Sequence, residues 1–149
     1  MTGSPKFLIK PFSKFTRSYK ELLKRYYKGD RAKQAFIEYV AKIVENLSSD
    51  PFLVDSFTES SPGGLNIPEE WEFRKYYFDM PSLRGASGEG RLMYLVNRSQ
   101  NVIWLLWVYT HSEYEKRPPE KNLKQLIQEL IELQIDSDEL SSSEIEPDK

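Results

Sequence analysis

The sequence predicts an α+β domain with the element order strand, helix, helix, three strands, helix, or β-α-α-β-β-β-α. Three observations predict it. Apolar residues recur at helical spacing from Phe15 to Leu47, runs rich in β-branched and aromatic residues fill Trp71 to Tyr109, and a helical stripe returns after Pro118-Pro119. Strands grouped in the middle, with helices on either side of them in sequence, make a small antiparallel-rich sheet with helices packed on one face.

Each element has a local reason. Lys6 to Lys10 alternates and leads to Pro11, which suits an edge strand. Ser13 is the predicted cap of a helix whose apolar face is Phe15, Tyr19, Leu22, Leu23 and Tyr26. Gly29-Asp30 ends that helix and opens a second, with Ala32, Ala35, Phe36, Tyr39, Val40, Ile43, Val44 and Leu47 on one stripe. It stops before Asp50-Pro51, because the residue ahead of a proline is pushed out of the helical region. A connection this short makes the pair an antiparallel hairpin.

Phe52 to Pro68 has no clear period, and Ser60-Ser61-Pro62-Gly63-Gly64 reads as a loop. Trp71 to Met80 reads as a strand, and Gly85 to Gly90 as a flexible connection. Arg91 to Val96 and Asn101 to Tyr109, joined by Asn97-Arg98-Ser99-Gln100, have the spacing of a β-hairpin. The last helix carries Leu123, Ile127, Leu130 and Ile131. Residues 1–133 read as one domain and 134–149 as an acidic, serine-rich, disordered tail.

Composition narrows the function. The aromatic share of 13% is enough to close one core in 149 residues. With no cysteine, disulfides, iron–sulfur clusters and thiolate zinc sites are excluded, and one histidine leaves a zinc ion almost no ligands. No cofactor is implied. Met1 to Lys10 lacks a signal-peptide core, and the longest apolar run, Val102 to Tyr109, is too short to span a bilayer, so a cytoplasmic protein is expected. The net charge of −2 is divided unevenly. Residues 127–149 hold eight carboxylates and one lysine, a charge of −7, whereas residues 1–126 hold 20 basic and 15 acidic residues, a charge of +5. A basic body suits a polyanion. No Walker A sequence occurs, and Gly85, Gly88 and Gly90 lie between predicted strands instead of opening a helix.

Three features point to chemistry. Arg74 and Lys75 sit mid-strand, Arg91 opens the next strand, and Tyr109-Thr110-His111-Ser112-Glu113-Tyr114 precedes Lys116 and Arg117 where the last strand ends. Neighbouring antiparallel strands would gather cations, an imidazole and phenols near one end of the sheet. Such a set suits RNA cleavage without a metal: Arg and Lys hold the scissile phosphate, and His111 transfers a proton near neutral pH. Tyrosines stack on splayed bases. Each has a plainer reading beside it. Arg74 and Lys75 are equally explained by carboxylate partners, His111 by a structural role, and Tyr109 and Tyr114 by packing. Trp71, Trp104 and Trp107 read as core.

The segment Gly90-Arg91-Leu92-Met93-Tyr94-Leu95-Val96, followed by Val102 to Tyr109 and Thr110-His111-Ser112-Glu113-Tyr114, resembles the RelE/ParE toxin superfamily, and the likeness extends to about Leu130. The resemblance implies the toxin of a type II toxin–antitoxin system: a ribosome-dependent endoribonuclease that cuts mRNA and is neutralised by a cognate antitoxin. By matching position, Arg91 would bind the phosphate or transition state. His111, Tyr109 or Tyr114 would occupy the acid–base strand end, with Arg74 and Lys75 on the basic central strand. Lys116 and Arg117 would add RNA contacts. ParE-like relatives poison gyrase without ribonuclease residues, so a non-catalytic binding protein is the second reading. A third has the acidic tail fold over the basic groove and block it.

Overall fold

The computed structural model of the chain describes residues 6–145, with side chains as far as Ile135. It divides into two units. The first comprises residues 1–60 and 67–117, and the second residues 61–66 and 118–149.

The first unit is a five-stranded sheet with two helices. Its strands are β1 (Leu8–Pro11), β2 (Ser56–Thr58), β3 (Trp71–Asp79), β4 (Glu89–Asn97) and β5 (Val102–Thr110), in the spatial order β1-β5-β4-β3-β2. The last three form the expected antiparallel meander, with Arg74 opposite Tyr94 and Arg91 opposite Tyr109. β1 pairs parallel to β5, which is the one parallel ladder among the described strands. The sequence reading missed β2. Three residues ending an aperiodic segment leave too little alternation to see, and this strand exists because Ser56–Thr58 completes the ladder of Arg74–Tyr76.

Helix α1 (Ser13–Tyr26) and helix α2 (Asp30–Ser49) form the predicted hairpin. The predicted cap is corrected: Phe12 occupies the cap position, Ser13 lies inside the helix, and no side chain caps this end. The chain is anchored there by the sheet instead, since the Phe12 amide donates to the Leu105 carbonyl. Beyond that point α1 replaces β1 along the edge of β5. Ser18 Oγ accepts the Val108 amide at 3.0 Å and donates to the Phe15 carbonyl, so a buried strand N–H that β1 no longer reaches is satisfied by a helix side chain.

The core lies between the two helices and one sheet face. Leu22, Phe36, Val40, Ile43 and Leu47 meet Leu92, Tyr94, Val96, Ile103 and Leu105. Phe36 is wholly buried, its ring stacked on those of Tyr19 and Tyr27. The other face of the sheet carries Phe73, Lys75, Arg91, Met93, Leu95, Trp107 and Tyr109. The connection expected to be flexible holds a 3₁₀ turn at Gly85–Gly88, and Glu89 and Gly90 are already in β4. Gly90 has a steric cause: a Cβ there would collide with the Phe78 ring laid across it.

The second unit holds a 3₁₀ turn at Pro62–Gly64 and helix α3 (Glu120–Ile145). Glu120 accepts the Gly63 amide at 3.1 Å, tying the turn to the first turn of α3. The predicted apolar stripe is buried at Leu123, Ile127, Leu130 and Ile131, joined by Leu126. The helix continues past 133, so the predicted domain boundary falls within α3, and residues 146–149 of the predicted tail lie outside the described residues.

Candidate functional site

Alternation along β3 decides the first question. Arg74 and Lys75 are adjacent, so they project to opposite faces. Arg74 lies with Tyr94 on the helix-packed face and is buried. Its guanidinium donates to Ser56 Oγ and the Ser56 carbonyl at 2.9 Å, to Thr58 Oγ1 at 3.1 Å, and to Glu72. Glu72 also accepts Arg98 at 2.8 Å. Burial raises the Glu72 pKa, but hydrogen bonds from Thr58 and Arg74 and the charges of Arg74 and Arg98 outweigh it and hold the carboxyl below its ordinary value. Tyr94 completes the network by donating to the Pro51 carbonyl at 2.6 Å and contacting Ser56 Oγ. Four of the five N–H donors of Arg74 are thus taken by protein partners.

Lys75 is on the other face with Arg91, Tyr109 and Tyr77. The sequence expected Arg74, Lys75, Arg91, Tyr109, His111, Tyr114, Lys116 and Arg117 to gather on one side of the sheet. Arg74 does not, and Lys75, Arg91, Tyr109, Tyr114 and Arg117 meet on this face. They are also tied to one another. Glu59 binds Lys75 at 3.5 Å and Arg117 at 3.1 Å, while the Lys116 carbonyl accepts Lys75 Nζ and Tyr109 OH, each at 3.2 Å. Lys116 itself is exposed. Burial, chiefly, raises the Tyr109 pKa well above that of a free phenol, so Tyr109 stays protonated at neutral pH. Tyr114 packs edge-on against both Tyr109 and Trp107. Arg91 lies over the Tyr77 ring at 4.2 Å, donates to the Gly90 carbonyl at 2.8 Å, and pairs with Glu89 at 3.1 Å.

A cleft of about 450 Å³ opens where β3 runs on past the end of β2. Arg91 and three carboxylates, Asp55, Asp79 and Glu89, line it beside Tyr39 and Tyr77. One paired guanidinium against three carboxylates makes this cleft unfavourable for a phosphate.

His111 follows β5, and its amide extends the ladder by donating to the Glu89 carbonyl at 2.9 Å. Among the described residues its imidazole has no hydrogen bond or ion pair. Beside this strand end the structure adds a group that sequence reasoning missed. Tyr26 OH lies 3.2 Å from Ser112 Oγ and 3.4 Å from Thr110 Oγ1, and Arg25 pairs with Glu113 at 3.1 Å. Burial raises the Tyr26 pKa, but the hydrogen bonds from Ser112, Thr110 and Arg25 prevail and lower it. Tyr26 reads as core in the helical stripe. Nothing in the sequence shows that the last ring of that stripe overshoots the core and reaches the end of β5.

No family model matches the chain, and no curated protein does. Solved structures similar to it include three toxin structures. An archaeal RelE–RelB complex from Pyrococcus horikoshii aligns with a TM-score of 0.45 and 16% identity, over 70% of this chain and 94% of that one. A mutant of the E. coli toxin RelE in the free state gives 0.43 and 16%, over 74% and 88%. A metal-bound toxin from Helicobacter pylori gives 0.45 and 22%, over 72% and 98%.

Proposed function

We propose that the chain is the toxin-type member of a type II toxin–antitoxin pair, and that it acts by binding an antitoxin and its target instead of cutting RNA. The observation that carries the non-catalytic part is the pairing of the candidate phosphate ligands. Arg91 is held by Glu89 and the Gly90 carbonyl, Lys75 and Arg117 share Glu59, and Arg74 lies on the opposite face within its own network. Opening any of these pairs for a substrate leaves a carboxylate to be resolvated. The toxin part rests on the resemblance of Gly90 to Tyr114 to the RelE/ParE superfamily.

One observation favours the second reading, a metal-independent, ribosome-dependent mRNA endoribonuclease. His111 has no side-chain partner among the described residues and lies in sequence beside Thr110 and Ser112, whose hydroxyls meet Tyr26. An imidazole so placed is free to take a proton from a ribose 2′-hydroxyl.

Induction of the gene in a bacterium, with messages mapped by primer extension, separates the two. Binding without cleavage gives arrest with intact messages, equal for wild type and His111→Ala at equal expression. Cleaved messages that become intact in His111→Ala would establish the ribonuclease.

A further inference from the structure

With the predicted cations of the sheet spent on carboxylates, the unspent positive charge of the molecule lies elsewhere. Residues Lys6 to Lys33 contain ten lysines and arginines and two carboxylates, a local charge of +8 in a chain whose net charge is −2. Helix α1 displays the densest part. Arg17, Lys20 and Lys24 are all exposed, and their spacing of three and four residues places them on one face with Glu21; Lys28, also exposed, follows the end of the helix. The stripe from Arg17 to Lys24 extends about 10 Å along the helix axis. Arg25 pairs with Glu113, but among the described residues Arg17, Lys20 and Lys24 have no ion pair. Lys28 donates only to the Lys24 carbonyl, at 3.1 Å.

Glu21 shares this face, four residues after Arg17 and three before Lys24, and Lys24 in the last turn complements the helix dipole, so the cations outnumber the carboxylate three to one. Like charges three and four residues apart repel, and the first turn of α1 holds no acidic residue to offset the helix dipole.

We propose that this face of α1 binds the phosphate backbone of a nucleic-acid duplex. The charge argues for a polyanion, and the absence of aromatic side chains from the stripe argues for a duplex. Proteins that track single strands stack bases on exposed rings. The rings of α1 are committed elsewhere: Phe15 and Tyr19 stack within the core, and Tyr26 bonds to Thr110 and Ser112. Evenly spaced cations on a rigid rod contact phosphates without reading bases, so binding is independent of sequence and steeply dependent on salt. The proposal does not rest on the toxin–antitoxin reading.

The test is fluorescence anisotropy of the full chain with a labelled RNA duplex and, in a second arm, a DNA duplex of the same sequence, between low and physiological salt. Wild type should bind at least one duplex, and the two arms identify which. The triple variant Arg17→Gln, Lys20→Gln, Lys24→Gln should bind roughly tenfold or more weakly, with the slope of log affinity against log salt reduced by roughly 2 to 3. The triple variant Lys42→Gln, Arg84→Gln, Lys121→Gln removes the same charge from other exposed positions and should bind like wild type. All six side chains replaced are exposed or half-buried at the surface, and circular dichroism verifies that each variant is folded. The proposal is overturned if neither duplex binds at low salt, if the two triple variants lose affinity equally, or if phosphatidylserine vesicles or single strands bind more tightly than either duplex.

Discussion

Glu72 shows how one side chain links the edge of the sheet to pH. Its carboxylate receives Thr58 from β2, Arg74 from its own strand and Arg98 from the turn after β4. Because its folded-state pKa is depressed, the unfolded chain binds the proton more readily. Its stabilisation is therefore present above the ordinary carboxylate value and lost as pH falls through the lower, folded-state value. Glu72→Gln should cost about 2 kcal/mol at pH 7, the scale of hydrogen bonds to a charged group. In urea unfolding, the gap between variant and wild type should narrow at pH 3. A gap equal at both pH values would mean that shape, not charge, is what Glu72 supplies. The sequence shows Arg74 and Lys75 as cations but says nothing of their partners. Glu59 and Ser56 come from a segment with no periodicity, so their position is set only when the chain returns to the edge of β3. The sequence shows Arg91 and Tyr109 only as ends of one hairpin; that they pair depends on Asn97 meeting Val102 at the turn and on the irregularity between Met93 and Tyr94, which shifts the register.

At the scale of elements, α1 has two jobs that its sequence shows unequally. The apolar stripe that seats it on the sheet is plain from spacing alone. Its role as the continuation of β1 is not, because the informative residue, Ser18, is a polar residue on a helix interior and reads as neutral. Only the strand beside it reveals that Ser18 satisfies the Val108 amide. Ser18 is buried at 4% exposure, so water cannot replace it. Ser18→Ala should leave that amide without an acceptor and lower unfolding stability by about 1–3 kcal/mol. Hydrogen exchange is the discriminating measurement: the Val108 amide should lose protection more than those of Ile103 and Leu105, which strand pairing supports. A uniform loss would indicate global destabilisation with no local role for the hydroxyl.

The whole molecule joins a basic N-terminal third to an acidic end. The charges are segregated in sequence, with the cations on α1 and the carboxylates gathering beyond Ile127. The proposed boundary at 133/134 can be tested on this basis. Among the described side chains of α3, which reach Ile135, the last buried one is Ile131, while Leu133 and Ile135 are 54% and 50% exposed, so these two remove little apolar surface from water. Deleting residues 134–149 should therefore shift Tm by less than about 3 °C, the equivalent of roughly 1 kcal/mol for a chain of this size. The same deletion removes six carboxylates and one lysine, which takes the net charge from −2 to +3. Duplex affinity should rise at low salt, where charges act over longer distances, and converge with that of the full chain near physiological salt as the Debye length falls to about 8 Å. A gain that persists at high salt would mean the segment covers the basic face directly, as a short-range contact is screened less. A large fall in Tm would place part of the segment inside the folded domain and move the boundary past residue 134.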